Sequence, residues 1–357
     1  MLRILTIGDI HFKTTNVKET QDMCDKILLL ISKEHVDLIV VMGDTLDRHE
    51  NIHVVPFTQS IKFIEQLSKL KKTYLLIGNH DRPNNADFLS DYHPFNGLKD
   101  KDNLIVVDKV VLDQIQGFNI LSVPYVFPGR FMEAINTNKN ISNKNINIKD
   151  IDIVFAHQEF FATKMGAVLS MIGDKWPLDY PFVISGHIHD YCRPQANIVY
   201  VGTPMQHAFG DDPNKTVSIW TVEKGKIPEE RRIDLGLIKR IQFELTCPEV
   251  NGWLPPDNSL VKLTIKGTSS EIKAIMKLDH LKVLNKKGVK IVYNTLDEIK
   301  NGINKEINQV DIKLPYGHRL KTTAEKNELH LYWYNKLFCG MEEKVNNMII
   351  QMDRLQL

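Results

Sequence analysis

The sequence predicts an α/β protein built on a largely parallel sheet, and two observations support that prediction. Residues 2–7, 36–42 and 74–77 are short apolar runs, as expected for strands that are buried on both faces. Between these runs, residues 17–34 and 56–70 carry apolar side chains at helical spacing. Strand, helix, strand, helix, strand in this order is typical of a parallel sheet covered by helices.

Further apolar runs predict more strands in the same part of the chain. They cover residues 104–107, 119–123, 151–156, 182–185, 198–201 and 217–222. Residues 136–149 consist almost wholly of Asn, Lys, Ile, Ser and Thr. This low complexity predicts a surface loop, to which we assign no function.

The chain changes character after about residue 234. A strand, a short helix and a second strand are predicted there, over residues 260–265, 270–277 and 289–293. Apolar side chains return at helical spacing near the end, at Leu337, Met341, Val345, Met348, Ile349, Met352 and Leu355. We therefore expect a large domain, a small α+β domain and a C-terminal helical segment, over residues 1–235, 236–322 and 323–357.

Composition indicates an ordinary globular protein of a reducing compartment. Of 357 residues, 43% are hydrophobic and 25% charged, so the chain can bury a core without disulfides. Its four cysteines are scattered without CxxC spacing, which argues against a zinc ribbon. The net charge of +1 excludes nucleic-acid binding through bulk charge, so such a substrate would need a local basic patch.

No targeting or membrane segment is expected. Residues 2–7 already form a core strand that ends beside Asp9, a candidate ligand, which argues against a cleavable signal peptide. No apolar run approaches the roughly 20 residues of a membrane span. We expect a soluble intracellular protein of the cytoplasm or nucleus. Its Asn- and Lys-rich loops indicate an AT-rich coding genome, viral or parasitic.

Five short motifs rich in Asp, His and Asn follow predicted strands. They are Asp9-Ile10-His11, Gly43-Asp44-Thr45-Leu46-Asp47-Arg48, Gly78-Asn79-His80-Asp81, Ala156-His157-Gln158 and Gly186-His187-Ile188-His189. Ligands bind beyond the carboxyl ends of strands in open α/β sheets, so these motifs can converge on one crevice. Imidazole nitrogens with carboxylate and amide oxygens suit Mn, Fe, Zn or Ni. Two such ions, about 3.5–4 Å apart, can activate water for displacement at phosphorus.

The order of these motifs resembles the calcineurin-like metallophosphoesterase superfamily over residues 1 to about 230. The resemblance implies a β-sandwich flanked by helices, with a small α+β capping domain. It implies one divalent ion on Asp9, His11 and His189, a second on Asn79, His157 and His187, and a bridging Asp44. The ions would be Mn²⁺ first, with Fe, Zn or Ni as alternatives.

The same resemblance implies roles for three residues near the ions. His80 would be the acid that protonates the leaving oxygen. Asp47 would hydrogen-bond to His80 and hold its tautomer. Arg48 would bind the substrate phosphate with its guanidinium fork, and an ordinary surface salt bridge is the alternative for this residue.

Three segments resemble the SbcD-type nucleases, the nuclease subunit of bacterial SbcCD. They are Gly-His-x-His at residues 186–189, Val-Pro-Tyr at 123–125, and Tyr-x-Gly-Thr-Pro at 200–204 with Phe-Gly-Asp at 209–211. The resemblance implies a DNA exo- or endonuclease of repair or recombination, with DNA as substrate. It also implies a homodimer, and an SMC-like ATPase bound by the C-terminal helical segment, whose apolar stripe could alternatively pack on the protein's own core.

The small domain corresponds in position to the DNA-capping domain of those nucleases. Residues 260–300 hold nine lysines against four acidic residues, a bias that suits phosphate contacts. A solvated lysine-rich face explains the same bias without DNA.

The main alternative function is a metal-dependent phosphomonoesterase acting on proteins or small molecules. The Gly-Asp-x-x-Asp-Arg pattern at residues 43–48 favours it. A basic groove would indicate the nuclease, and a shallow or closed pocket the phosphatase. A binding scaffold with a dead site is disfavoured because no predicted ligand is missing. His49, His53 and His207 either face the site or are ordinary loop histidines.

Overall fold

The computed structural model describes residues 1–49, 51–143, 146–166 and 168–295. The predicted C-terminal helical segment, residues 323–357, lies outside the described residues. The described residues divide into two compact units, residues 1–242 with 256–262, and residues 243–255 with 263–295. We predicted the first boundary after residue 235, and the division found here follows residue 242.

The first unit alternates strands and α-helices as far as its third strand and consists mostly of strands beyond it. Its strands are β1 (Leu2–Ile7), β2 (Leu38–Val41), β3 (Lys72–Leu76), β4 (Leu104–Val107), β5 (Val111–Ile115), β6 (Phe118–Val123), β7 (Ile153–His157), β8 (Lys164–Met165), β9 (Val168–Leu169), β10 (Val183–Gly186), β11 (Cys192–Gln195), β12 (Ile198–Tyr200), β13 (Val217–Val222) and β14 (Glu229–Ile233). Its α-helices are α1 (Val17–Lys33), α2 (Val54–Leu70), α3 (Phe131–Ile135) and α4 (Lys139–Ser142). Helix α4 lies inside the stretch that we predicted to be a loop.

Most of these strands form two six-stranded sheets. The first sheet has the order β14-β13-β1-β2-β3-β4, and the second has the order β11-β12-β10-β7-β6-β5. Strands β1 to β4 run parallel to one another, as do β6, β7, β10 and β12. The antiparallel strands lie towards the edges, at β13 and β14 in one sheet and at β5 and β11 in the other. The strands that the sequence placed in one parallel sheet therefore belong to two sheets, each with parallel strands in its middle.

The two sheets share a core made of their inner faces. One buried apolar cluster joins the two sheets. It includes Ile4 and Val40 of the first sheet and Phe155 and Ile184 of the second, and none of these four side chains is exposed to solvent. Apolar side chains removed from water in this way are the main source of folding free energy. The arrangement is a β-sandwich, as the resemblance implied.

Helices cover the outer faces of the sandwich. Ile27 of α1 and Phe63 of α2 pack with Ile39 of β2 in a second core cluster. Phe131 of α3 packs with Val154 of β7 in a third. Strands buried on both faces explain why the parallel centres appear in the sequence as continuous apolar runs.

The second unit contains helices and strands, as predicted. It includes α5 (Ser269–Ile275), α6 (Asp279–Lys286) and β17 (Lys290–Thr295). The last belongs to a three-stranded sheet of order β15-β16-β17, whose other strands are β15 (Lys239–Thr246) and β16 (Ser259–Gly267). Thr268 begins α5 with a capping box. Its hydroxyl accepts a hydrogen bond from the backbone N–H of Glu271, and the Glu271 carboxylate accepts one from the backbone N–H of Thr268.

Buried apolar side chains of β16 and the two helices, among them Leu263, Ile265, Ile272 and Leu284, supply the core of this small unit. Within the described residues of either unit, no helix combines the length and the apolarity that crossing a bilayer requires.

Candidate metal centre

The five predicted motifs meet at one edge of the sandwich because parallel strands end there together. Asp9 and His11 follow β1, Asp44 follows β2, and Asn79 and His80 follow β3. His157 is the last residue of β7, and His187 and His189 follow β10. The first three strands belong to the first sheet and the last two to the second. Both sheets therefore direct ligand-bearing loops into one crevice.

The first group of candidate ligands consists of Asp9, His11 and His189. Their ligand atoms all lie within 4.8 Å of one another. The Nε2 atoms of His11 and His189 are 3.0 Å apart. Two imidazoles bound at right angles to one ion, with bonds of about 2.1 Å, would be separated by about the same distance. This group can therefore hold one divalent cation.

The second group consists of Asp44, Asn79, His157 and His187. The ligand atoms of Asp44, His157 and His187 also lie within 4.8 Å of one another. The amide oxygen of Asn79 is 3.1 Å from Nε2 of His157 and 2.9 Å from Nδ1 of His187. Nδ1 of His157 donates to the Met42 carbonyl at 2.8 Å, which leaves Nε2 as the atom that faces the group.

Asp44 lies between the two groups. Its Oδ1 atom is 3.4 Å from Nε2 of His157 in the second group. Its Oδ2 atom is 3.8 Å from Nε2 of His11 in the first. One oxygen faces each group, which is the arrangement that a bridging carboxylate needs.

The donor set fits two divalent metal ions. Asp9 is fully buried, and its Oδ1 atom has no hydrogen-bond partner in the described part of the chain. Its other oxygen accepts from the His187 N–H at 2.9 Å. A buried carboxylate oxygen without a donor is costly unless a cation compensates it. The mixture of imidazole, carboxylate and amide donors suits transition metals more than Mg²⁺ or Ca²⁺.

Burial and charge set the protonation of these groups. Burial raises the pKa of Asp9 well above its usual range, and burial lowers the pKa of His187 to about 3. His157 behaves differently, since burial lowers its pKa but the Asp44 carboxylate outweighs that effect and raises it to about 9. In the absence of metal, the proton of His157 balances the charge of Asp44. A cation in the second group would take over that role.

His80 lies beside the bridging carboxylate and outside both groups. Its Nε2 atom is 4.0 Å from Oδ2 of Asp44, and its backbone N–H donates to Oδ1 of the same residue at 2.8 Å. Its Nδ1 atom donates to the backbone carbonyl of Asp47 at 2.8 Å. A carbonyl only accepts, so Nδ1 keeps its hydrogen and Nε2 is the atom that can gain or lose a proton.

Asp47 forms the expected hydrogen bond to His80, but through its main chain. The backbone carbonyl of Asp47 makes the hydrogen bond, and its carboxylate does not. The carboxylate instead accepts from Nζ of Lys13 at 3.3 Å and lies 3.9 Å from Nδ1 of His11. Attraction to the lysine explains why the side chain turns away from His80.

Arg48 lies on the surface next to the centre. Its side chain is exposed and has no hydrogen-bond or ion-pair partner among the described residues. It lines a cleft of about 280 Å³ together with Lys13 and His53. The salt bridge that was the alternative explanation for Arg48 is therefore not formed with the described part of the chain.

The backbone of the loops is strained where the ligands stand. His11, Asp44 and His187 adopt positive φ values of 49°, 45° and 85°, a region that non-glycine residues seldom occupy. A Cβ atom on Gly78 would collide with the backbone nitrogen and Oδ1 of Asp44. Glycine at this position lets the Asn79 loop approach Asp44 closely.

Asp81 ends the motif Gly78-Asn79-His80-Asp81, and the sequence alone assigned it no role. Its carboxylate accepts from the N–H groups of Leu46, Gly78 and Thr45, at 2.9, 3.1 and 3.2 Å. It thus joins the loop after β2 to the loop after β3. The sequence signal that could have pointed to this role is its position directly after His80.

Two further residues lie against the ligands. The ring of His207 is 5.0 Å from that of His11, and its Nε2 donates to the Asp9 carbonyl at 3.1 Å, so it supports the first group. The ring of Tyr125 lies 5.8 Å from that of His187 in the second group. Neither residue belongs to the two metal groups found within the described ranges.

The chain is similar in sequence to known proteins. A profile of the calcineurin-like phosphoesterases matches residues 2–191, more than half of the chain. The protein named "Putative phosphoesterase 078R" of Invertebrate iridescent virus 3 is 40% identical over 294 residues, which cover 81% of this chain and 83% of that protein. Its counterpart 244L of Invertebrate iridescent virus 6 is 38% identical over 280 residues, covering 77% and 97%.

A more distant relative is the DNA double-strand break repair protein Mre11 of Saccharolobus solfataricus. It is 22% identical over 205 residues, which cover 54% of this chain and 51% of that protein. The family match spans every predicted ligand. The chain therefore belongs to the calcineurin-like phosphoesterases, metal-dependent hydrolases of phosphoesters.

Proposed function

We propose that this phosphoesterase is a two-metal phosphodiesterase that cleaves DNA, a nuclease of the SbcD type acting in repair or recombination. The observation that carries the proposal is the position of Asp44 between two complete ligand groups, with His80 beside it. Such a centre suits in-line displacement at phosphorus. The similarity to Mre11, a protein named for DNA double-strand break repair, favours DNA as the substrate.

In this proposal the side chains divide the work of hydrolysis. Asp9, His11 and His189 would hold one ion, Asn79, His157 and His187 would hold the other, and Asp44 would contribute to both. The ions, Mn²⁺ in our proposal, lower the pKa of a water and neutralise charge on the phosphate when they are bound. His80 gives a proton from Nε2 to the leaving sugar oxygen, while the hydrogen bond from its Nδ1 to Asp47 keeps the ring oriented.

The cleft beside the centre suits a substrate that continues beyond the cleaved bond. Lys13 and Arg48 line it, and Arg48 has no competing partner within the described chain. Cationic side chains along such a groove bind the phosphates of a strand without reading its sequence. We assign Arg48 to substrate binding on this basis.

The resemblance to the SbcD-type nucleases also supports proposals about partners. We propose a homodimer, and an SMC-like ATPase that binds residues 323–357, which lie outside the described residues. We propose that the lysine-rich second unit contacts DNA. An intracellular protein of viral origin fits both the relatives from iridescent viruses and the predicted AT-rich coding genome.

A parallel assay tests the substrate class. The purified protein is supplied with Mn²⁺ and incubated with labelled linear DNA and, separately, with p-nitrophenyl phosphate. We expect DNA cleavage that His80→Ala slows by about 10²–10⁴-fold and that His35→Ala, a change at an exposed histidine, leaves unchanged. Release of p-nitrophenol with intact DNA would overturn the nuclease and make the protein a phosphomonoesterase, the function that the Gly-Asp-x-x-Asp-Arg pattern at residues 43–48 favours. Turnover of neither substrate would overturn both.

A further inference from the structure

His49 is a half-buried histidine outside both metal groups. It lies in the loop after β2, two residues beyond Asp47. Its ring lies almost parallel to that of His80, with centroids 4.9 Å apart and an angle of 15° between the planes. Two aromatic rings at this distance are in direct contact. The sequence left the role of His49 open, and this contact gives it a place beside the proposed acid.

The ring of His80 needs such a support because little else holds it. Its side chain is 34% exposed, so burial alone does not restrict it. One hydrogen bond, from Nδ1 to the Asp47 carbonyl, anchors one end. The ring could still rotate about that bond. The edge of His11, with centroids 4.9 Å away, limits one side, and the face of His49 limits another.

His49 is itself anchored to the loop that carries His80. Its Nδ1 atom donates to the Arg82 carbonyl at 3.1 Å. Arg82 is buried, and its guanidinium donates to the Tyr125 carbonyl at 2.7 Å. Asp81 joins the same two loops through Leu46 and Gly78. Contacts of His49, His80 and Asp81 thus connect the loop after β2 to the loop after β3.

We propose that His49 is a positioning residue for His80. Its ring holds the imidazole of His80 in the plane in which Nε2 faces Asp44 and the bond to be broken. The inference rests on the acid role of His80 in the proposed function. It adds that a second histidine, which belongs to neither metal group found within the described residues, keeps that acid aligned. Catalytic groups must be held closely to act, and small displacements cost large factors in rate.

The test compares two esters of thymidine 5′-phosphate, one with phenol and one with p-nitrophenol as the leaving group. Phenoxide needs a proton to depart far more than p-nitrophenoxide does, so loss of an aligned acid slows the phenyl ester selectively. For His49→Ala we expect kcat to fall about tenfold on the phenyl ester and about twofold or less on the nitrophenyl ester. We expect unchanged KM and two Mn²⁺ per chain.

A second variant separates stacking from other roles of His49. His49→Phe keeps a flat ring but loses the hydrogen bond to Arg82, and we expect it to recover most of kcat on the phenyl ester. His35→Ala serves as the matched control at an exposed histidine. Equal losses on both esters, loss of metal, or a His49→Phe variant as slow as His49→Ala would overturn the positioning role.

The experiment also separates this inference from the proposed function. In a His80→Ala background, the further change His49→Ala should have no effect on the phenyl ester, because the residues act as one unit. Additive losses would overturn the inference. Full activity of His80→Ala on the phenyl ester would instead overturn the acid role itself. Failure to cleave long DNA affects only the nuclease assignment, since both esters are small diesters.

Discussion

The two sheets of the sandwich contribute unequally to the metal centre. The first sheet carries every oxygen ligand, Asp9, Asp44 and Asn79, together with His11. The second sheet carries three histidines, His157, His187 and His189. Each metal group takes ligands from both sheets, so neither sheet holds a complete group alone. The centre is therefore a property of the packed sandwich, and its geometry depends on the shared core between the sheets.

The largest expected effect comes from Asp44, whose two carboxylate oxygens face different groups. Asp44→Ala should lose both ions and reduce hydrolysis to background, because one carboxylate oxygen faces each group. Metal analysis after gel filtration measures the ions, and Asp47→Ala, with a carboxylate outside both groups, should retain two. An Asp44→Ala protein that keeps two ions and full activity would contradict the bridging role.

The next effect distinguishes chemistry from metal binding at the first sheet. His80→Ala should lower kcat by about 10²–10⁴-fold, the usual contribution of an acid, while two ions stay bound. The loss should be larger for the phenyl ester than for the nitrophenyl ester. Loss of an ion from this variant would make His80 a ligand and not an acid.

Replacing a histidine ligand of the second sheet should weaken the binding of one ion and leave the other bound. His189→Ala removes a ligand from the first group and His187→Ala one from the second. Each variant should bind one ion with nearly normal affinity and the other more weakly, by more than the roughly 10–100-fold that outer-shell changes cost. Electron paramagnetic resonance of Mn²⁺ measures this through loss of the coupled-pair signal. Joint loss of both ions in either variant would show that the groups cannot fill separately.

The smallest effect concerns two histidines of the second sheet. His157, with a pKa raised to about 9, carries a proton below that pH, whereas His187, with a pKa lowered to about 3, does not carry one at pH 7. Metal must displace the proton of His157, so the affinity of the second group should fall as pH drops from 9 to 7, by up to about tenfold per unit. Nitrogen NMR of the metal-free protein measures both rings, and a neutral His157 at pH 7 would contradict this.

Apolar runs predicted the buried strands well, including β4 at the edge of its sheet. Strands β1, β4 and β13 have the predicted bounds, because their buried side chains form short continuous runs. Apolar runs did not predict β5 and β14, which are edge strands with half-exposed or charged side chains. The segment Glu229–Ile233 contains two glutamates and two arginines, so it carries no apolar signal. Its pairing with β13 makes it a strand, and that contact is tertiary.

The ligands were predictable for a related reason. Each stands one to four residues beyond the end of an apolar strand, or closes it, and glycines precede several of them. The hydrogen-bond partner of His80 was not predictable, because the choice between the carboxylate and the carbonyl of Asp47 depends on where Lys13 lies. The stacking of His49 on His80 likewise depends on the path of two loops.

By itself, the sequence determined the alternation of strands and helices near the start of the chain, the seven candidate ligands and the class of chemistry. Those properties depend on residue type and on local spacing, which the chain carries along its length. Only the tertiary structure decided that the strands form two sheets, that ligands from both sheets make up each group, and that His49 lies against His80. These features depend on contacts between residues far apart in the chain, whose distances are set by packing and not by local pattern.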